Sequence, residues 1–131
     1  IIFAQTGQGS EDGYLQTYEV YNLDLNADLA VLSGCNTGLG RLSRGEGLMG
    51  MSRAFLYAGV PSLVASLWPV NDESTAELMK HFYHNLRMGL PKNRALQKAK
   101  LALSRSEDWK RDPFYWGAFV LIGDWRGVVI E

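Results

Sequence analysis

The single cysteine of this chain, Cys35, closes an apolar run, Leu29-Ala30-Val31-Leu32, that gives way to Ser33-Gly34-Cys35-Asn36-Thr37-Gly38. A thiolate attacks carbonyl carbon readily, and the attack needs backbone N–H groups to hold the developing oxyanion. Gly34 permits close packing and Gly38 an unusual turn just beyond the sulfur, so this segment can offer those groups beside the nucleophile. Free cysteine is also a common small buried hydrophobe. The residues by themselves leave both readings open.

A thiol nucleophile needs a base, and the sequence holds two histidines, His81 and His84. Both fall in a helical stretch whose apolar stripe is Leu78, Met79, Phe82 and Leu86. That stripe turns His84 away from the core and leaves His81 at its side, so both read as surface or boundary residues. Their spacing is not the i, i+4 of a helical metal pair, and no metal site is expected. Four groups remain for a cleft: Cys35, Glu46, Asp72 and Glu73. Asp72 reads equally as a helix cap, and Glu46 as a carboxylate favoured at a helix start. Trp68, an aromatic at a strand end, is core or pocket wall.

The elements that must position these groups follow from periodicity. Ile1–Ala4 predicts a strand and 5–13 a polar loop; 14–21 is a short strand or helical turn. Residues 27–32 predict a strand apolar on both faces, the pattern of a mostly parallel sheet covered by helices on each side. A glycine-rich loop over 37–47 leads to a helix over 47–58, with Leu48, Met51, Ala54, Phe55 and Ala58 on one stripe and Gly59 at its end. Both Met49 and Met51 read as core filler. The strand 62–68 is stopped by Pro69. A helix then starts within 71–74, with Ser74 and Glu77 in capping-box order, and stops at Gly89. Pro91 opens another, with Leu96, Ala99 and Leu103 inward and Lys92, Lys98 and Lys100 toward water. Residues 105–113 read as a polar loop, 118–122 as the last core strand, and 127–130 as an edge strand. The order strand, helix, strand, helix, helix, strand predicts a parallel α/β sandwich. Right-handed crossovers then put the loops after Cys35 and after Trp68 along one edge of the sheet.

Composition narrows the partners. With 131 residues, 47% of them hydrophobic, the chain suits one domain or a large piece of one. Thirteen basic and fourteen acidic residues leave a formal charge of -1 and no basic block, so a nucleic-acid partner is not expected. One cysteine excludes an internal disulfide and a multi-thiolate metal site, and no cofactor motif is present. The glycines from Gly38 to Gly47 lack the order of a phosphate-binding loop and include no lysine. No apolar run reaches transmembrane length and no signal peptide opens the chain, so a cytoplasmic protein with no membrane partner is expected. Ile1-Ile2-Phe3-Ala4 begins as though entered halfway through a sheet, which predicts a fragment of a longer chain.

Several blocks carry a resemblance. Ser33 to Gly40, Ser43 to Leu48, Ala54 to Gly59, Ala65 to Asp72, and Tyr115 to Asp124 closely resemble the CHAT domain, and Phe82-Tyr83, Ala95-Leu96 and Ala102-Leu103 continue it in unbroken order. CHAT domains are caspase-like proteases related to separase. The resemblance implies a caspase-like three-layer sandwich, with residues 1–131 as the C-terminal portion of one such domain. It implies Cys35 as the catalytic cysteine of a Cys-His dyad that cleaves proteins, with Gly34 and Gly38 shaping the turn at the oxyanion. The family's catalytic histidine lies in a His-Gly element upstream of the matched region, so the fragment alone is expected to be inactive. Gly34 departs from the small residue, commonly Ala, that usually precedes the cysteine. Asp72 matches an acidic position that in separase-like relatives helps form the pocket for a basic side chain, and Glu46 resembles an acidic residue of the loop after the nucleophile; with Trp68 these are the expected pocket. The implied partners are a protein or peptide substrate and the remainder of a longer chain, such as tetratricopeptide repeats. The rival expectation is a catalytically inactive scaffold or signalling domain of such a chain.

Overall fold

The computed structural model describes residues 17–32 and 46–127, with side chains from 49 onward in the second stretch. The chain runs through α1 (Thr17–Tyr21), β1 (Ala30–Leu32), α2 (Glu46–Tyr57), β2 (Ser62–Ser66), α3 (Asp72–Arg87), α4 (Lys92–Ser104), a 3-10 turn (Trp109–Arg111), α5 (Pro113–Trp116) and β3 (Phe119–Gly123). The expected strand at Ile1–Ala4, the loop over 5–13 and the residues of 128–131 lie outside the described residues.

β2 is the centre of the sheet. Leu63, Val64 and Ala65 are fully buried, because both faces of this strand are covered. β1 pairs with it in parallel, Val31 opposite Val64, and β3 pairs on the other side in the antiparallel sense, Val64 opposite Leu121. Side-chain alternation sorts the strands into two cores. Val31, Val64, Phe119 and Leu121 point to α3 and α4, where Leu78, Phe82, Leu86, Ala95, Leu96, Ala99 and Leu103 meet them. Ala30, Leu32 and Leu63 point the other way, to Val20 of α1 and to Met51, Ala54, Phe55 and Ala58 of α2. The result is a mixed α/β fold with helices on both faces of a small sheet.

The direction of β3 corrects the expectation of a parallel sheet. One helix, α2, separates β1 from β2 and carries the chain back to the edge where β1 began. Two helices separate β2 from β3. α3 crosses the sheet and α4 crosses it again, with Asn85 Nδ2 donating to the Ala95 carbonyl at 3.0 Å between them. The chain therefore arrives at the edge it had left, where Leu67 N donates to the Ala118 carbonyl at 2.7 Å, and β3 must run backward.

Two glycines sit where a side chain would not fit. Gly59 ends α2 at φ +108° with Leu25 O close above it, and Gly123 leaves β3 at φ +97° against the Pro61 carbonyl. Three smaller expectations also change. Met49 is exposed whereas Met51 is buried. The polar loop over 105–113 contains the 3-10 turn and the first residue of α5. Lys92, expected in water, is 2% exposed, its aliphatic stem covered while its charge acts on nearby Asp124.

Candidate functional site

The edge where β1 and β2 end is where the expected site residues converge in sequence. Leu32, the last residue of β1, is in register with Ala65, one residue before the end of β2. β3 begins at the same edge, with Phe119 opposite Ser66. The chain leaves β2 through Leu67, Trp68, Pro69 and Val70 to α3. Val70 is 5% exposed and pegs this connection into the core.

Trp68 is half-buried against α5. Its indole Nε1–H donates to the Phe114 carbonyl at 2.9 Å, and the two rings stand 6.1 Å apart, tilted. Asp112 caps α5 by accepting from Phe114 N at 3.0 Å, so the short helix that holds Trp68 is itself anchored. Trp68 is thus packed against the core beside α5 at this edge.

Asp72 is exposed and is the first residue of α3, not its cap. Asn71 takes the cap: its Oδ1 accepts from Ser74 N at 2.9 Å, while Ser74 Oγ donates to the Asn71 carbonyl at 3.1 Å. The expected capping box is therefore not formed, and Glu77 turns outward to Lys110 at 3.0 Å. Asp72 and Glu73 remain in the first turn, where the helix dipole favours carboxylates.

An ion cluster beside this turn escaped the sequence reading. Lys110 Nζ lies 3.0 Å from both Glu77 and Asp108 and 3.7 Å from Glu73, with its side chain 12% exposed. Asp108 accepts from Ser106 Oγ at 2.6 Å and from Lys110 N at 3.0 Å. The Ser106 hydroxyl first, then Lys110, pulls the Asp108 carboxyl down to about 2. Asp108, and then Glu77, holds the Lys110 ammonium above its ordinary range. The signal was present as Ser106-Glu107-Asp108, a local turn-forming pattern, but its partners on α3 lie some thirty residues back.

The histidines stay away from this edge. His81 and His84 stand nine and twelve residues beyond Asp72, about 14 and 18 Å along the axis at 1.5 Å per residue. His81 is half-buried and His84 exposed, on the outer side of α3 with Lys80, Tyr83 and Arg87. Burial pushes the Tyr83 hydroxyl above its ordinary value. Cys35, Gly34 and Gly38 lie outside the described residues; Glu46 opens α2, on the opposite face of the sheet from α3, and its side chain is also outside them. Among the described residues no group of three or more His, Cys, Asp or Glu side chains is placed to hold a metal ion, and no helix is long and apolar enough to cross a membrane.

The family model of the CHAT domain matches residues 1–124. The chain belongs to the CHAT-domain family. Among curated proteins, this CHAT chain is similar to tetratricopeptide repeat protein 28 of Mus musculus, 32% identical over 109 residues, and to that of Homo sapiens, 31% identical over 109 residues. Each match covers 83% of this chain and 4% of the relative, so the chain spans a small part of the relatives' length. No solved structure matches it significantly. The blocks that carried the resemblance therefore read the family correctly, and the relatives are repeat proteins as expected.

Proposed function

We propose that residues 1–131 are the C-terminal portion of one CHAT, caspase-like peptidase domain in which Cys35 is the nucleophile of a Cys-His dyad. The observation that supports this most is the parallel pairing of β1 with β2. Both strands end at one edge, and Cys35 follows Leu32 by three residues, a reach of at most ~10 Å. The Trp68–Asp72 connection leaves from that same edge.

In this reading the Cys35 thiol gives its proton to a histidine upstream of Ile1. The sulfur bonds to the substrate carbonyl carbon, and backbone N–H groups in the Gly34–Gly38 turn hold the oxyanion. The amine leaves with the proton, and water then hydrolyses the thioester. Asp72, helped by Glu46 and walled by Trp68, favours a basic side chain before the scissile bond. The histidines at 81 and 84 take no part.

The test is labelling of the full-length protein with a thiol-directed acyl electrophile, with and without Cys35→Ala. Labelling that depends on Cys35 and falls when the upstream histidine is replaced supports the dyad. Labelling indifferent to that histidine, together with no peptide turnover, favours a catalytically inactive scaffold in a repeat-containing protein.

A further inference from the structure

Charge is distributed unevenly along this chain. From Leu78 to Ser106 there are seven of its thirteen Lys and Arg residues and no Asp or Glu, while the remainder holds six Lys and Arg against fourteen acidic residues. The seven are spaced apart, so no basic block shows in the sequence. Folding gathers them. α3 and α4 cover the same face of the sheet, held in register by the Asn85 side chain on the Ala95 carbonyl. Opposite its buried stripe α3 exposes Lys80, His84 and Arg87, and α4 exposes Arg94, Lys98 and Arg105 opposite its own. Among the described residues no ion pair engages any of these five Lys and Arg side chains. A shallow groove of about 590 Å³ opens on α3, lined by Lys80, His81, Tyr83, His84 and Arg87. Large apolar groups stand exposed between the cations: Tyr83, Met88 and Leu101.

We propose that the outer face of the α3–α4 hairpin docks an acidic protein segment in which Asp or Glu alternates with apolar side chains. Lys80 and Arg87 lie about 10 Å apart along the α3 axis at 1.5 Å per residue. Carboxylates on alternate residues of an extended segment repeat at roughly 7 Å, so two or three of them meet this row. Apolar residues of the same segment meet Tyr83, Met88 and Leu101, which otherwise face water.

The acidic surround favours a short segment over a larger polyanion. Glu73, with its side chain 68% exposed, and Glu77 stand on α3 only one to two turns before Lys80. A duplex, with a phosphate charge about every 1.7 Å, extends beyond the basic face and meets those carboxylates. The flat surface of an anionic bilayer does the same. A peptide confined to the hairpin avoids them. This face lies toward the opposite end of α3 from Asp72, and the proposal stands whether or not Cys35 is a nucleophile.

The test is fluorescence anisotropy with the full-length protein and a short fluorescein-labelled peptide of alternating Glu and Leu. The peptide should bind, bind more weakly as salt rises, and lose binding when its Glu residues become Gln. Lys80→Glu with Arg87→Glu should weaken binding about tenfold or more, and Arg94→Glu with Lys98→Glu likewise. Lys80→Gln with Arg87→Gln, which introduces no new charge, should give a smaller loss in the same direction. Arg53→Glu, an exposed position of α2 on the other face of the sheet, should change binding less than twofold. Failure of the Glu peptide to bind, or equal losses from Arg53→Glu and the hairpin variants, would overturn the proposal. Duplex DNA or phosphatidylserine vesicles that bind more tightly than the peptide, and lose that binding in the hairpin variants, would overturn it in favour of a polyanion.

Discussion

Trp68 and Phe114, forty-six residues apart, are locked together by an indole N–H donating to a carbonyl at 2.9 Å. That bond ties the exit of the central strand to the short helix before β3. It holds the edge at which β1 also ends. Replacing Trp68 by Phe should cost about 1 kcal/mol, the loss of one hydrogen bond with most of the ring kept. Trp68→Ala should cost about 2–3 kcal/mol, because the half-buried ring also leaves α5. Urea denaturation of both variants measures the difference.

Gly123 and Gly50 should respond in opposite directions to alanine. A Cβ at Gly123 meets the Pro61 carbonyl at a φ of +97°, so Gly123→Ala should destabilise by about 2–5 kcal/mol. Gly50 lies inside α2 with nothing within 4 Å of its added Cβ, and Gly50→Ala should stabilise by about 0.5–1 kcal/mol. Thermal melts of the two variants separate the outcomes.

Acid should loosen the clasp on α3 in a defined window. Asp108 is held from its ordinary value of 3.8 down to about 2, chiefly by the Ser106 hydroxyl and then by Lys110. A depressed folded value means its contribution is fully present above pH 3.8 and is lost as pH falls toward 2. Asp108→Asn should therefore flatten the dependence of stability on pH between about 4 and 2, leaving it unchanged near 7 apart from a constant offset. Equilibrium unfolding across that range checks it.

Residues 1–131 alone should turn over no peptide, since neither His81 nor His84 stands near the edge where β1 and β2 end. In the full-length protein Cys35→Ala should abolish turnover, and Asp72→Asn should cut the preference for a basic residue about tenfold or more. A cleavage-site profile of wild type and Asp72→Asn reads this directly. Turnover by 1–131 alone would show that the base lies within the chain.

Much of the framework was legible because hydrophobic periodicity is local. The stripe Leu78, Met79, Phe82, Leu86 announced α3, and Gly59, Gly89 and Pro91 marked where helices stop and start. The apolar run at Leu63–Ala65, stopped by Pro69, announced a strand. The motif blocks from Ser33 to Gly40 and from Tyr115 to Asp124 announced the family. The antiparallel β3 ran against the expected parallel order, because the two helices between β2 and β3 cross the sheet twice and return the chain to the edge it left.

Other features depended on residues far apart in the chain. Lys92 reads as a solvent lysine until its stem is covered and its charge lies near Asp124. Lys110 reads as one more loop charge until Glu73 and Glu77 approach from α3. Sequence determines which residues prefer a helix, a strand or a turn, because those preferences arise within a few residues. Burial and charge pairing arise only when separate segments pack, and the tertiary structure decided them.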